Sequence, residues 1–277
     1  MSNEKRHHQL VQSKQPWFVL SCKDTYFIRP SKNSLISHCY SFKAKSDLTQ
    51  SYAIPDGCID LLFDCTESQT KALVCGTPLK AQVTPFKANH KYFGVRFAAG
   101  FIPDKIAIAP KELVNQQFEL LEAIPKASAM IDMLVNESDF IKQTDLIAEY
   151  FGDSHVSKSS HVSYQAALYI RQKSGNVRLA ELESLTGVTA RTLQRKFKQD
   201  FGLSPKSFCR IIRFQSALFS INHHNDTCFS DLACILGFSD QPHFLREFKR
   251  LINATPVQYH HNVNKESYRR RIRYFQP

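Results

Sequence analysis

The chain has no run of about 18 apolar residues, the length needed to cross a bilayer, so no membrane span is expected. Its opening stretch, Met1 to Gln15, is polar and basic and lacks the apolar centre of a signal peptide, which points to the cytoplasm as the place of action. It has no Cys-x-x-Cys and no paired Cys/His spacing of the zinc type, so neither a metal nor a cofactor is expected. The eight cysteines, Cys22, Cys39, Cys58, Cys65, Cys75, Cys209, Cys228 and Cys234, are scattered, mostly beside apolar residues, and read as reduced, buried small side chains. A Gly-rich phosphate loop, a His-Glu-x-x-His pair and a nucleophile elbow are all missing too, so no catalytic residues are nominated and the expectation is a protein that is not an enzyme.

What the chain does have is enough length for two cores: 277 residues, of which 43% are hydrophobic and 22% charged, an ordinary globular balance. The charge is unevenly divided. Residues 1–155 hold 17 basic and 17 acidic side chains, whereas residues 156–277 hold 19 and 8, so the whole net charge of +11 lies in the second part. That asymmetry points to a polyanion, with nucleic acid ahead of an anionic membrane; a basic surface kept only for solubility is the plain alternative.

Up to about residue 100 the pattern is one of strands and turns. Tyr26–Ile28, Leu35–Tyr40, Ile59–Phe63, Ala72–Cys75 and Tyr92–Phe97 are short apolar or alternating runs, parted by turn formers such as Pro55-Asp56-Gly57, and they predict a mainly antiparallel sheet or barrel. Beyond Pro103 apolar residues recur at helical intervals through Leu113–Ile124, Met130–Leu134 and Ile141–Phe151, with Ser138 placed to cap the last of these helices. Residues 152–160 are small and polar and read as a linker between a first domain, 1–151, and a second, 161–262. In the second domain helices are expected at about 162–173, 178–186, 189–201, 205–222, 229–236, 241–251 and 256–262. Residues 263–277, with Arg269-Arg270-Arg271-Ile272-Arg273, read as a mobile basic tail attracted to phosphate.

Inside the second domain one unit is written twice. Arg195, Phe197, Lys198, Ser204 and Pro205 recur 51 residues later as Arg246, Phe248, Lys249, Thr255 and Pro256, and Gly187 answers to Gly237 one residue out of step. Each copy reads as helix, tight turn, helix: the glycines accept a positive φ at the turn, Thr189 and Ser239 stand where an N-cap is wanted, and Pro242 falls in a first turn, where its missing N–H does no harm. Leu193 and Phe197, like Phe244 and Phe248, lie four apart and face inward, which leaves Arg191, Gln194, Arg195 and Lys198, and likewise Gln241, His243, Arg246 and Lys249, on other faces. Arg and Gln read base edges bidentately, and these eight are the candidate DNA-binding residues; for each singly, contact with phosphate or solvent alone is the competing reading.

The segment from about Tyr164 to His260 resembles the DNA-binding domain of the AraC/XylS family of transcription regulators, above all in the run Asp231 to Lys249 followed by Thr255-Pro256 and Tyr259. The resemblance implies an α+β protein whose all-α second domain holds two helix-turn-helix units joined by a long helix, with Arg213 and Ala217 at family-typical places in it. It implies recognition helices entering successive major grooves about 34 Å apart, with Arg191, Gln194, Arg195, Gln241, Pro242, His243 and Arg246 at the base-facing places. Three positions depart from the pattern. Glu183 stands where a small residue is usual and must lean out or find a partner; Asn253 replaces a glycine but also tolerates the left-handed region; Pro242 cannot hydrogen-bond a base.

Ile54 to Phe63, with Phe93 to Phe97 and the Leu113–Leu121 region, looks like the sensory domain of one subgroup of this family, which implies a cupin-like barrel followed by helices, a small-molecule effector, pairing of two chains, or both. Asp56, Asp60, Asp64 and Arg96 are candidates to line a polar pocket, against a reading in which Asp56 makes a turn and the others face solvent; no effector-binding residue is assigned. The apolar face between Met130 and Phe151 is expected as a dimer seam, with core as the alternative. The function expected is that of a sequence-specific transcription regulator, an activator gated by an effector or by dimerisation, working on double-stranded promoter DNA with RNA polymerase in a bacterial cytoplasm, associated with the nucleoid. An effector-independent or partner-controlled regulator is the alternative. A DNA-repair alkyl-transfer enzyme is a remote third, disfavoured because the close cysteine spacing of its zinc site is absent.

Overall fold

The computed structural model describes residues 15–47, 50–66, 71–154, 160–223, 228–265 and 268–277. A short helix, α1 (Pro16–Ser21), precedes the strands β1 (Tyr26–Pro30), β2 (Ile36–Lys43), β3 (Tyr52–Ala53), β4 (Asp60–Asp64), β5 (Lys71–Cys75), β6 (Gln82–Val83) and β7 (Lys91–Phe97). After α2 (Pro110–Leu113) come β8 (Gln117–Glu119), α3 (Leu120–Ala123), α4 (Ser128–Asn136) and α5 (Phe140–Tyr150). With β9 (Ile272–Tyr274), seven strands form one sheet in the order β8-β5-β4-β7-β2-β1-β9, antiparallel except at the last pair, while β3 and β6 make a separate ribbon. The α+β class and the antiparallel first domain are as the sequence predicts.

Both faces of this sheet are covered, which is why its central strands read as continuous apolar runs rather than alternating ones. Leu61, Phe63, Val74, Phe93, Val95 and Phe97 point into a core closed by Ile124, Met130, Leu134, Ile147 and Phe151. The apolar face expected as a dimer seam between Met130 and Phe151 is therefore core: these side chains are needed to cover a sheet that would otherwise expose one side. Tyr26, Tyr40, Phe42, Leu62 and Tyr92 line the opposite face and join Phe18 and Val19 of α1 in a single apolar cluster. That cluster also contains Phe214, Phe244, Phe248 and Tyr259 from the second half of the chain.

The second half holds the helices α6 (His161–Gln172), α7 (Leu179–Thr186), α8 (Ala190–Phe201), α9 (Pro205–His223), α10 (Phe229–Ile235), α11 (Gln241–Ile252), α12 (Pro256–Lys265) and α13 (Tyr268–Arg271). Of the expected linker, residues 155–159 lie outside the described residues. The arginine-rich end is not an arm. Tyr268 is buried, and β9 (Ile272–Tyr274) runs parallel to β1 and completes the sheet edge. Phe275 donates its N–H to the Ile28 carbonyl at 2.8 Å, and Arg271 donates to the Cys22 carbonyl at 2.8 Å, so backbone pairing and apolar anchors outweigh the exposed charge of this segment.

Other contacts hold the halves together. Gln215 of α9 donates to the Pro55 carbonyl at 2.7 Å, Phe208 of the same helix packs over Gly57 and Gly100, and the Trp17 indole donates to the Ile252 carbonyl at 3.3 Å. Two smaller expectations also change. Asp139, not Ser138, caps α5, accepting from Ile141 and Lys142. Cys228 and Cys234 are exposed rather than buried, because α10 turns them away from Leu232 and Ala233. No helix among the described residues is long and apolar enough to cross a membrane.

Candidate nucleic-acid interface

The first unit is α7, a turn at Gly187 with φ +67°, and α8. Thr189 caps α8 as expected, accepting from the Thr192 N–H. Leu182, Leu193 and Phe197 are buried, with Phe197 set edge-on to Phe201 and tilted against Phe208. The face left outward carries Arg191, Gln194, Arg195 and Lys198, all exposed.

Glu183, the residue out of place in this unit, has a partner. Its carboxylate accepts from the Ala190 N–H at 2.5 Å, so it reaches over the turn and satisfies one of the four amides that begin α8. A small residue at this site leaves that amide to water. Glu183 instead ties the first helix of the unit to the start of the second, with the negative charge at the favoured end of the helix.

The second unit is α10, a turn at Gly237 with φ +71°, and α11. Here the cap is Asp240, whose carboxylate accepts from the His243 N–H at 2.6 Å, not Ser239 as the sequence suggests. The reason is one extra residue between the turn glycine and the first inward apolar side chain, which moves the helix start along by one. Ser239 supports the cap by donating to Asp240. The His243 N–H and the Ser239 hydroxyl hold the Asp240 carboxyl below the usual carboxylate range. Phe244 and Phe248 are buried, and Gln241, Arg246 and Lys249 are exposed. His243 is only half-exposed: its Nδ1 lies 3.0 Å from the Ser239 hydroxyl and its ring stands edge-on to Phe238. Asn253 ends α11 at φ +61°, in the left-handed conformation expected of it.

Between the units runs a groove of about 610 Å³, floored by Arg210 and Arg213 of α9, with Gln194 of α8 on one wall and His243 of α11 on the other. Among the described residues the one acidic side chain lining it is Glu247, which is paired with Arg210 at 3.6 Å and with Arg250 at 3.7 Å. The structure thus brings seven of the eight candidate residues to exposed positions beside their buried anchors, with His243 half-exposed, and it places Gln194 and His243 on the shared groove.

In the first domain, three of the four pocket candidates do converge. Arg96, 1% exposed, donates to both Asp60 oxygens, from Nε at 2.8 Å and from Nη2 at 2.5 Å. Asp56 lies 3.5 Å from Arg96 and accepts from Gln15 at 2.9 Å, while Tyr40 donates to Asp60 at 3.0 Å. Burial pushes the Asp56 carboxyl up, against the pull of Arg96. The fourth, Asp64, goes elsewhere and pairs with His90 at 2.7 Å. The cavity beside this cluster is small, about 40 Å³.

Residues 182–262 match a family model described as a helix-turn-helix domain, and residues 28–119 match one described as a domain of unknown function, DUF6597. The HTH-type transcriptional regulator MtrA of Neisseria gonorrhoeae is 36% identical over 67 residues, which is 24% of this chain and 22% of that protein. The HTH-type transcriptional activator RhaS of Escherichia coli is 35% identical over 69 residues, 25% of this chain and 24% of that protein. The chain therefore matches about a quarter of the length of either relative. Among solved structures, that of ToxT from Vibrio cholerae aligns with 81% of this chain and 97% of its own, at 13% identity and a TM-score of 0.43.

Proposed function

We propose that the chain is a transcription regulator of the AraC/XylS family and that it binds specific promoter sequences with both helix-turn-helix units. The observation that carries this is the pair of recognition helices: each is pinned by two buried apolar side chains, and each turns Arg and Gln outward beside one groove. Arg191, Gln194 and Arg195, with Gln241, His243 and Arg246, are the base-reading set, Arg toward guanine and Gln toward adenine. Lys198 and Lys249 are phosphate contacts, which position the domain without reading sequence. An activator that contacts RNA polymerase is the role proposed for the whole chain, in keeping with the name of RhaS as a transcriptional activator. Its place of action is then the bacterial cytoplasm, on nucleoid DNA.

The first domain, 1–151, is proposed to control the second, 161–262. Supporting this, the Pro55-Asp56-Gly57 turn touches both the Arg96 cluster and α9, through the Pro55 carbonyl and Gly57. The cavity beside the Arg96 cluster, about 40 Å³, suits one water molecule better than a metabolite, whereas a larger pocket of about 540 Å³ is lined by Asp24, Phe27, Lys43 and Lys91. The smaller cavity supports the second reading, a regulator controlled by a protein partner or by its own abundance. Thermal melting against fractionated metabolites separates the two, since a ligand that binds only the native state raises its stability.

DNA binding is tested on sites selected from random sequence by the full chain. Replacing Arg246 with Ala should cost about 1–3 kcal/mol and relax preference at one base pair. Uniform weakening on every sequence, with a shallower salt dependence, would make Arg246 a phosphate contact. A chain that prefers no sequence at physiological salt would overturn the proposal.

A further inference from the structure

The linker helix α9 carries, near its middle, a side chain bonded both to the turn that leads into the first helix-turn-helix unit and to the turn inside the second. Arg213 donates from Nη2 to the Gly175 carbonyl at 3.1 Å and from Nη1 to the Gly237 carbonyl at 3.2 Å. Gly175 lies in the turn that delivers α7, and Gly237 is the turn of the second unit itself. The guanidinium also sits over the Phe238 ring, 5.2 Å from its centroid.

The backbone around this bridge is close-fitted. A Cβ on Gly175 would lie 2.3 Å from the Cys209 carbonyl oxygen and 2.5 Å from the Arg213 nitrogen, so α9 presses directly on the first turn. A Cβ on Gly237 would lie 2.3 Å from the Asn176 side chain, so the second turn presses on the residue after Gly175. Both glycines have positive φ, +77° and +71°. The two turns and the middle of α9 therefore meet at one point, and the Arg213 guanidinium is hydrogen-bonded to both turns.

A helix of this kind sets the distance between the units, at about 1.5 Å per residue, but leaves each unit free to swing about its end. Fixing that swing takes a contact off the helix axis. A planar fork can hold two carbonyls in a set direction, whereas a lysine ammonium is a point charge on a flexible stem.

We propose that Arg213 is a positioning residue that locks the two recognition helices in register and thereby sets the spacing between half-sites that the protein accepts on DNA. The inference rests on the reading that both units bind DNA. It does not place Arg213 in contact with any base.

The test uses the full chain and a site selected from random DNA, alongside the same site with one base pair inserted or removed between its halves. One base pair turns a half-site by about a tenth of a helical turn, so the wild-type protein should lose about tenfold or more in affinity on the altered sites. Arg213→Ala and Arg213→Lys should each lose less than about threefold between spacings, while preferring the same bases within each half-site. Should Arg213→Ala fail to melt cooperatively, Arg213→Lys, which keeps the stem and the charge, carries the comparison. A folded variant that discriminates spacing as sharply as wild type overturns the inference. A wild-type protein that selects no sequence overturns the DNA-binding reading instead.

Discussion

Arg96 carries a full charge into the middle of the first domain, where only its partners make that tolerable. Asp60 holds the guanidinium by two bonds, and Phe18 and Tyr40 lie against it, with ring centroids 5.8 and 5.3 Å away. Asp60→Asn keeps the shape and removes the charge, leaving Asp56 at 3.5 Å as the remaining counter-charge. Breaking a buried pair in this way costs about 3–5 kcal/mol, measurable as a fall in the urea midpoint at unchanged slope. A loss below about 1 kcal/mol would mean that Asp56 takes over. At this scale the sequence offers candidates but not partners. Asp56, Asp60, Asp64 and Arg96 stand out as a group, yet a separation of 36 residues between Asp60 and Arg96 says nothing of their pairing until β4 and β7 are side by side. Glu183 is the same case in reverse: it reads as a misfit, and only the fold of the turn shows that it caps α8.

Helices were the more legible elements, because their starts are set by local chemistry. Two of them depend on an aspartate cap whose carboxyl is held below its usual range by backbone N–H groups, Lys142 first for Asp139 and His243 for Asp240. For a carboxyl lowered in this way, the stabilising contribution is complete above the unfolded pKa, about 4, and disappears as the pH falls through the folded value. The protection of amides in the first turns of α5 and α11, measured against intrinsic exchange at each pH, should therefore fall below about pH 4 in the wild type, and should already be low at pH 7 in Asp240→Ala for α11 alone. The strand at the chain end was not legible. Ile272–Tyr274 follows three arginines and is too short for its alternation to mark it; it becomes a strand because β1 offers an unpaired edge and Phe275 lies against Phe27 and Phe140. Removing residues 272–277 should expose the β1 edge, which would show as faster exchange at Tyr26–Pro30 and as association at high protein concentration. A truncated chain with unchanged protection there would argue that β9 adds nothing to the sheet.

The molecule as a whole is held by a core that ignores the boundary suggested by charge and composition. Phe18, Tyr40 and Phe42 belong to the same cluster as Phe244, Phe248 and Tyr259. A chain built this way should unfold in one transition, with calorimetric and van't Hoff enthalpies in agreement. Two resolved transitions would indicate domains that are stable apart. The shared core also bears on regulation, since a change near Asp56 meets α9 at Pro55 and Gly57, and α9 in turn carries Arg213. Neither link is visible in sequence, where Pro55 and Gln215 are 160 residues apart.

Residue order alone set the class of this protein: a second domain with all the excess charge, two units 51 residues apart, turn glycines and inward apolar pairs, with Arg and Gln facing out. These are local properties, governed by helical periodicity and by the conformations a single residue can adopt, and they survive without knowledge of the fold. Only the tertiary structure decided which charges are buried together, that the apolar face from Met130 to Phe151 is core, that the arginine-rich end closes the sheet, and that one guanidinium joins the two turns. Those outcomes depend on which surfaces meet, and burial, desolvation and pairing are properties of the meeting rather than of either surface alone.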